Sequence, residues 1–188
     1  MIDFGLWAEC ESEESLQQLG SHFHNLEYSL LTGRKIHFSA AIINEEARGL
    51  EVIAREICEH GKGIGTLQET LEATETGIFL YHKLLDAPDF RFAHVGFDAY
   101  KTTSHFLFES VYTMNNGERW VAAECVVSEQ LYNQLGAPRS LRDFRRGYKW
   151  RWYKGETYSP LFSEDQEALI ELNKKMLPYD LEPNSVWW

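Results

Sequence analysis

From Gly147 to Tyr153 the side chains alternate in type, and this alternation constrains the fold more than any other feature of the sequence. Tyr148, Trp150 and Trp152 fall at one parity, and Lys149, Arg151 and Tyr153 fall at the other. A period of two is that of a β-strand with one buried face and one solvated face. The sequence therefore predicts a strand here, which could turn back through Gly155 towards Tyr158 as a hairpin.

The same region concentrates positive charge, and we call residues 139–154 the cationic strip. It contains seven cations and one acid, Asp143, so it carries +6 while the rest of the chain carries −17 of the total of −11. The cations are Arg139, Arg142, Arg145, Arg146, Lys149, Arg151 and Lys154. A strongly acidic body disfavours whole-surface attraction to nucleic acid or to anionic membranes, but it leaves room for a local contact.

Two interpretations of the cationic strip remain open at this stage. Guanidinium groups bind carboxylate and phosphate in a bidentate fork, and aromatic rings offer stacking faces, so the strip could bind a partner or a ligand. The candidate binding residues are Arg142, Arg145, Arg146, Lys149, Trp150, Arg151 and Trp152. In the other interpretation the aromatic rings face the core and the cations pair with the protein's own carboxylates.

The length and composition indicate a single domain over residues 1–188, with a minor internal boundary near 61–65. A chain of 188 residues with 44% hydrophobic and 14% aromatic residues can bury a substantial core. Cys10, Cys58 and Cys125 are widely spaced, which indicates neither a disulfide framework nor a thiolate zinc site. With no leader-like or membrane-spanning segment in the sequence, we expect a cytoplasmic protein without a membrane association.

Hydrophobic periodicity predicts an α+β fold, with a mainly antiparallel or mixed sheet and three to four helices packed on one side. The expected strands cover 2–10, 36–43, 77–82 and 90–97, together with a hairpin that joins 105–114 to 119–128 through Asn115-Asn116-Gly117. The expected helices begin at Ser12, Asn44 and Ser128 and cover 163–176, with further helical turns over 66–73.

No spaced set of catalytic or metal-binding residues is visible in the sequence, so we expect no cofactor, no metal and no catalytic residue. Turn-based pairing would place Cys125 opposite Ser110 or Phe108, too far from His105 to form a nucleophile and base pair. Glu109 and Glu124 lie on the two arms of the predicted hairpin, where a carboxyl pair could form by chance.

The preferred function is therefore a non-enzymatic interaction protein, similar in charge and size to immunity or antitoxin proteins, whose cationic strip binds a macromolecule. A protein partner is favoured over nucleic acid. The alternative is an enzyme or binding protein that holds a small phosphate-like or nucleotide-like anion with the same strip. Trp187 and Trp188 are costly to leave in water, so they are expected to dock on the domain or to form a homodimer.

Overall fold

The structure is a computed structural model that describes residues 3–44, 48–57, 64 and 66–156. Its main feature, within these residues, is an eight-stranded sheet in which every neighbouring pair is antiparallel. The predicted α+β class with a mainly antiparallel sheet is confirmed. The predicted helix over 163–176, the loop 61–65 apart from Ile64, and Trp187 and Trp188 lie outside the described residues.

The first half of the chain builds one end of the sheet. In order it forms β1 (Phe4–Glu9), α1 (Glu13–His22), β2 (Glu27–Ser29), β3 (Lys35–Asn44), β4 (Arg48–Ala54) and α2 (Leu67–Lys83). The side chain of Ser12 accepts a hydrogen bond from the backbone N–H of Ser15 and so caps α1, as predicted. The strands lie in the order β2-β3-β4-β1.

The second half adds the other end of the sheet and a small separate ribbon. It forms β5 (Phe92–Phe97), a 3₁₀ turn (Ala99–Lys101), α3 (Ser104–Ser110), β6 (Val111–Thr113), β7 (Arg119–Val121), β8 (Cys125–Ser128), α4 (Glu129–Gln134), β9 (Arg142–Arg145) and β10 (Tyr148–Arg151). The sheet continues from β1 through β5, β8 and β10 to β9, while β6 and β7 pair only with each other among the described residues.

Helices pack on both faces of the sheet, whereas the sequence predicted them on one face only. On one face Leu16 and Leu19 of α1 and Leu80 of α2 pack with Phe4 and Leu6 of β1, in what we call the first core. On the opposite face Leu107 of α3 and Leu131 of α4 join a second core that includes Trp7, Phe92 and Val127. The central strands are thus buried on both faces. No helix among the described residues is long and apolar enough to cross a membrane.

Three local predictions are wrong: sheet pairing replaces a predicted helix in one case, and helices replace predicted strands in the other two. The helix expected from Asn44 is the strand β4, which pairs with both β1 and β3. The strand expected over 77–82 lies inside α2, which begins with a capping box formed by Thr66 and Glu69. The long hairpin over 105–128 is reduced to β6 and β7, because residues 104–110 are helical and Cys125 pairs with Arg151 of β10.

Candidate functional site

The cationic strip forms the last two strands of the sheet. A tight turn at Arg146 and Gly147, where Gly147 has φ +82°, joins β9 to β10 as a hairpin. The predicted return through Gly155 leads out of the described residues. Tyr148 and Trp150 are only 6% and 5% exposed and contribute to the first core, so the predicted alternation is confirmed over 148–151. It does not extend to Tyr153, which was expected on the solvated face but is only 5% exposed. Tyr158 lies outside the described residues.

Arg145 is held inside the structure by the chain's own carbonyl groups. Its guanidinium donates to the backbone oxygens of Leu85 at 3.2 Å and Ala87 at 2.5 Å, and also to that of Pro88. It lies over the ring of Tyr148, with Cζ 4.2 Å from the ring centroid. Arg145 therefore ties the loop after α2 to the edge of the sheet.

Other cations of the strip are also engaged within the chain. Arg151 donates from Nη1 to the carbonyl oxygens of Val121 and Ala122, both at 2.6 Å. Lys149 forms an ion pair with Asp143, and Arg139 forms one with Glu118. For these residues the second interpretation of the sequence, in which the cations bind this protein's own acceptors, describes the observed contacts.

Arg142 and Arg146 are the candidate binding residues with exposed side chains. Both lie at the end of the sheet, Arg142 on the edge strand β9 and Arg146 in the turn that follows it. Trp152 is half-buried and packs against the first core. The structure thus brings the predicted residues together in and next to one hairpin, where two of the arginine side chains are exposed.

A pocket of about 500 Å³ opens beside Arg146. Its walls include Ser12 at the start of α1, Tyr148, and the carboxyl-bearing residues Glu11, Asp89 and Glu129. Three carboxyl groups oppose one guanidinium there, so the local charge does not favour an anionic ligand.

A second cluster of ionisable groups lies where β5 and β8 separate. These strands pair only at Phe92 with Val127 and at Ala93 with Val126. Beyond that point the hydroxyl of Tyr81 donates to the backbone oxygen of Glu124 at 3.3 Å and accepts from the backbone N–H of Val95 at 3.3 Å. Nδ1 of His94 lies 2.6 Å from the same Glu124 oxygen, and burial lowers the pKa of His94.

Two carboxyl groups line this cluster. Burial raises the pKa of Glu124 to about 7, and the neighbouring charge of Glu156 adds to the increase. The carboxylate of Glu124 accepts from the backbone N–H of Lys154 at 3.2 Å, and that of Glu156 accepts from the hydroxyl of Tyr153 at 2.7 Å. Burial also raises the pKa of Glu156. Glu124 can therefore exchange a proton near neutral pH.

The pocket and the Glu124 cluster are separate places. The pocket is lined by residues beside Arg146, whereas the cluster is formed by Tyr81, His94, Glu124 and Glu156, none of which lines the pocket. Among the described residues, no group of three or more His, Cys, Asp or Glu side chains is placed to hold a metal ion.

Sequence reasoning overlooked most of this cluster. Glu109, which the predicted hairpin would have allowed to pair with Glu124 only by chance, lies on α3 with its carboxylate 3.6 Å from Nε2 of His105. Tyr81, His94 and Glu156 come from three distant segments, and no local pattern relates them. Cys125 is fully buried, and burial raises the pKa of its thiol to about 12, which is unsuited to a nucleophile.

Comparisons with known proteins add no relative: no family model, no curated protein and no solved structure matches this chain.

Proposed function

We propose that this protein is a non-enzymatic interaction protein that binds an acidic segment of a partner protein at β9, the last strand of the sheet among the described residues. The observation that carries the proposal is the placement of Arg142 and Arg146, two arginines with exposed side chains at the end of the sheet. Guanidinium groups pair with carboxylates in a bidentate fork, and an edge strand can also offer backbone hydrogen bonds to an extended segment.

The charge distribution supports a selective rather than a general attraction. A body that carries −17 outside the strip repels acidic molecules from every other direction. An acidic partner is therefore steered towards the strip, as an immunity-like or antitoxin-like inhibitor would steer the enzyme that it neutralises. A protein partner is preferred to nucleic acid, because a long polyanion would also approach the acidic body.

The compartment belongs to the same proposal. Cys10 and Cys125 are buried free thiols, which supports a reducing environment such as the cytoplasm. The homodimer through Trp187 and Trp188 stays a prediction.

The alternative function, binding of a small phosphate-like or nucleotide-like anion, is favoured by the pocket beside Arg146. The carboxyl groups in its wall argue against it, so the protein partner remains first. The two functions differ in what they require: the alternative needs the pocket, whereas the first needs only the exposed edge.

The test uses a fluorescent oligoglutamate peptide as the acidic probe and fluorescence anisotropy as the readout. The double variant Arg142→Glu with Arg146→Glu should abolish binding, and binding to the unchanged protein should weaken as salt rises. The matched control is Lys35→Glu with Arg48→Glu, which makes the same charge change in β3 and β4 at the other end of the sheet. Equal loss of binding in both variants would reject the edge as the contact.

A second measurement searches for the partner in the cell. Cross-linking from a photoreactive residue at Arg146, followed by mass spectrometry, should recover a protein with an acidic segment. Recovery of a nucleotide or phosphate compound that inorganic phosphate displaces would support the alternative instead. Arg145 and Arg151 should be left unchanged in these tests, because they bind backbone carbonyl groups of the fold.

A further inference from the structure

Among the residues that the structure describes, the small sheet formed by β6 and β7 has one edge covered by another segment and one edge without a neighbouring strand. On the β7 side, the carbonyl oxygen of Arg119 accepts from the backbone N–H of Arg139 at 2.8 Å. The N–H of Val121 donates to the hydroxyl of Ser140 at 2.9 Å. Arg119 and Val121 therefore direct their backbone groups away from β6, and the loop before β9 satisfies them.

Backbone N–H and C=O groups alternate in direction along a strand, so the pairing of β6 with β7 determines which of these groups in β6 point away from β7. Val111 is opposite Val121 and Thr113 is opposite Arg119, so Val111 and Thr113 direct their N–H and C=O groups away from β7. Within the described part of the chain, no hydrogen bond joins these outward groups to another residue. A two-stranded ribbon is marginal by itself and gains stability from a third strand.

This edge differs from the edges of the large sheet in its charge. Proteins protect exposed strand edges with charged residues and bulges. The edge strand β2 begins with Glu27, and β9 carries Arg142, Asp143 and a register irregularity against β10. The strand β6 consists of Val111, Tyr112 and Thr113 and has no charge.

Exposed apolar side chains surround the same edge in sequence. Of the six large hydrophobic side chains that are exposed among the described residues, five lie between residues 100 and 114. They are Tyr100, Phe106, Phe108, Tyr112 and Met114, each 42–45% exposed. These side chains lie near β6 in sequence, and aromatic residues and methionine are enriched at protein interfaces.

We propose that the β6 edges of two copies of this protein pair with each other, antiparallel and about a two-fold axis at Tyr112. Val111 then lies opposite Thr113 of the partner subunit, and the two residues exchange N–H···O=C hydrogen bonds in both directions. The symmetry repeats this exchange on the other side of the axis. The result is a continuous four-stranded sheet across the dimer, in the order β7-β6-β6-β7.

A second copy fits this edge because the same outward donors and acceptors occur on both partners, as an isologous two-fold interface requires. The uncharged strand avoids a like-charge contact at the axis. Each copy nevertheless carries −11 overall, so long-range repulsion opposes the dimer and salt should strengthen it. This dependence is opposite to that expected for an acidic partner at β9, and the dimer does not rest on the proposed function.

The test is sedimentation equilibrium of the full chain over a range of concentrations, at about 0.05 M and about 0.5 M salt. We expect a dimer that is tighter at the higher salt. Thr113→Pro removes the outward N–H, whereas the matched variant Thr113→Val keeps it, so the proline variant should dimerise at least tenfold more weakly. Circular dichroism and the urea midpoint establish that both variants are folded.

Tyr112→Lys provides a second variant should the proline disturb the hairpin, because it places two like charges at the axis and should also weaken the dimer. Equal dimerisation of Thr113→Pro and Thr113→Val, both folded, would overturn the proposal. A monomer at every concentration and salt would overturn it too. A dimer that is lost on Trp187→Ser with Trp188→Ser, but unaffected by the β6 variants, would assign the interface to the C-terminal tryptophans instead.

Discussion

The hydroxyl of Tyr81 in α2 donates a hydrogen bond to the backbone oxygen of Glu124, 3.3 Å away, at the start of β8. The same hydroxyl accepts from the N–H of Val95 at 3.3 Å, so one side chain bridges two strands where their own ladder has stopped. Tyr81 is 1% exposed, and its ring also packs against Trp150 and Tyr153. A helix side chain therefore sets the separation of β5 and β8 and, with it, the position of the Glu124 carboxyl group.

We expect Tyr81→Phe to lower the free energy of unfolding by about 1–3 kcal/mol, because the N–H of Val95 loses its acceptor while it remains buried. The carbonyl oxygen of Glu124 keeps His94 as a partner. Urea unfolding measures the change. Tyr132→Phe, at a half-buried tyrosine away from the β6 edge, is the control and should alter stability by no more than about 0.5 kcal/mol. An equally small effect at Tyr81 would show that the bridge contributes little.

Two adjacent arginines in the cationic strip should respond very differently to substitution. Arg145→Met removes a donor to three carbonyl groups of residues 85–88 and should cost about 2–4 kcal/mol of stability. Arg146→Met, at an exposed position in the turn, should change stability by less than about 0.5 kcal/mol. Thermal and urea unfolding of the two variants compare them. A similar cost at both positions would contradict the structural role assigned to Arg145.

A pair of glycine substitutions tests the packing of β4 against β1. A Cβ atom at Gly49 would clash with the indole ring of Trp7 and would lie 2.8 Å from the backbone oxygen of Ala8. Gly49→Ala should therefore destabilise the protein by about 1–3 kcal/mol. In Gly20→Ala the new Cβ atom would have its nearest neighbour 3.6 Å away, in ordinary contact, and alanine favours the helix by about 0.5–1 kcal/mol.

Urea unfolding of both glycine variants shows whether each substitution raises or lowers the free energy of unfolding. A loss of stability at Gly49 with a gain at Gly20 supports the register in which Gly49 is opposite Glu9 of β1. A gain at both positions would indicate that residues 48–54 are not in this strand, and would favour the helix that the sequence pattern suggested for them.

The elements that the sequence predicted correctly are those with signals inside a few residues. Ser12 and Ser128 cap helices through their own side chains, and the alternation at Tyr148 and Trp150 reflects one buried face. The segment over 48–54 was predicted to be helical although it forms a central strand. A strand buried on both faces does not alternate regularly between apolar and polar residues, so its apolar residues can fall at helical spacing. The identity of this segment depends on pairing with β1 and β3, which the local sequence does not encode.

The candidate site was predictable only in part for the same reason. The cationic strip is contiguous, so its residues could be named, but the roles of Arg145 and Arg151 depend on carbonyl groups far along the chain. The Glu124 cluster joins α2, β5, β8 and the segment after β10. Predicting it would have required the strand order of the sheet, in particular that β8 lies between β5 and β10.

The carboxyl group of Glu124 should make stability depend on pH near neutrality. Burial raises its pKa from 4.5 to about 7 in the folded protein, so the folded state binds a proton that the unfolded state has released over this range. Stability from this group is therefore fully present below about pH 4.5 and declines as the pH rises to about 7. A difference of this size corresponds to at most about 3 kcal/mol.

Glu124→Gln isolates this contribution, because the amide cannot ionise but its oxygen can still accept from the N–H of Lys154. Glu156, Lys154 and Arg151 face the same carboxyl group and remain in both proteins, as do the carboxyl groups of Glu51 and Glu75, whose pKa values burial also raises. We expect the variant to match the unchanged protein near pH 4 and to exceed its stability by about 1–3 kcal/mol near pH 8, as measured by urea unfolding at each pH. A constant difference across this range would mean that Glu124 ionises alike in the folded and unfolded states, and its burial would then have no energetic consequence.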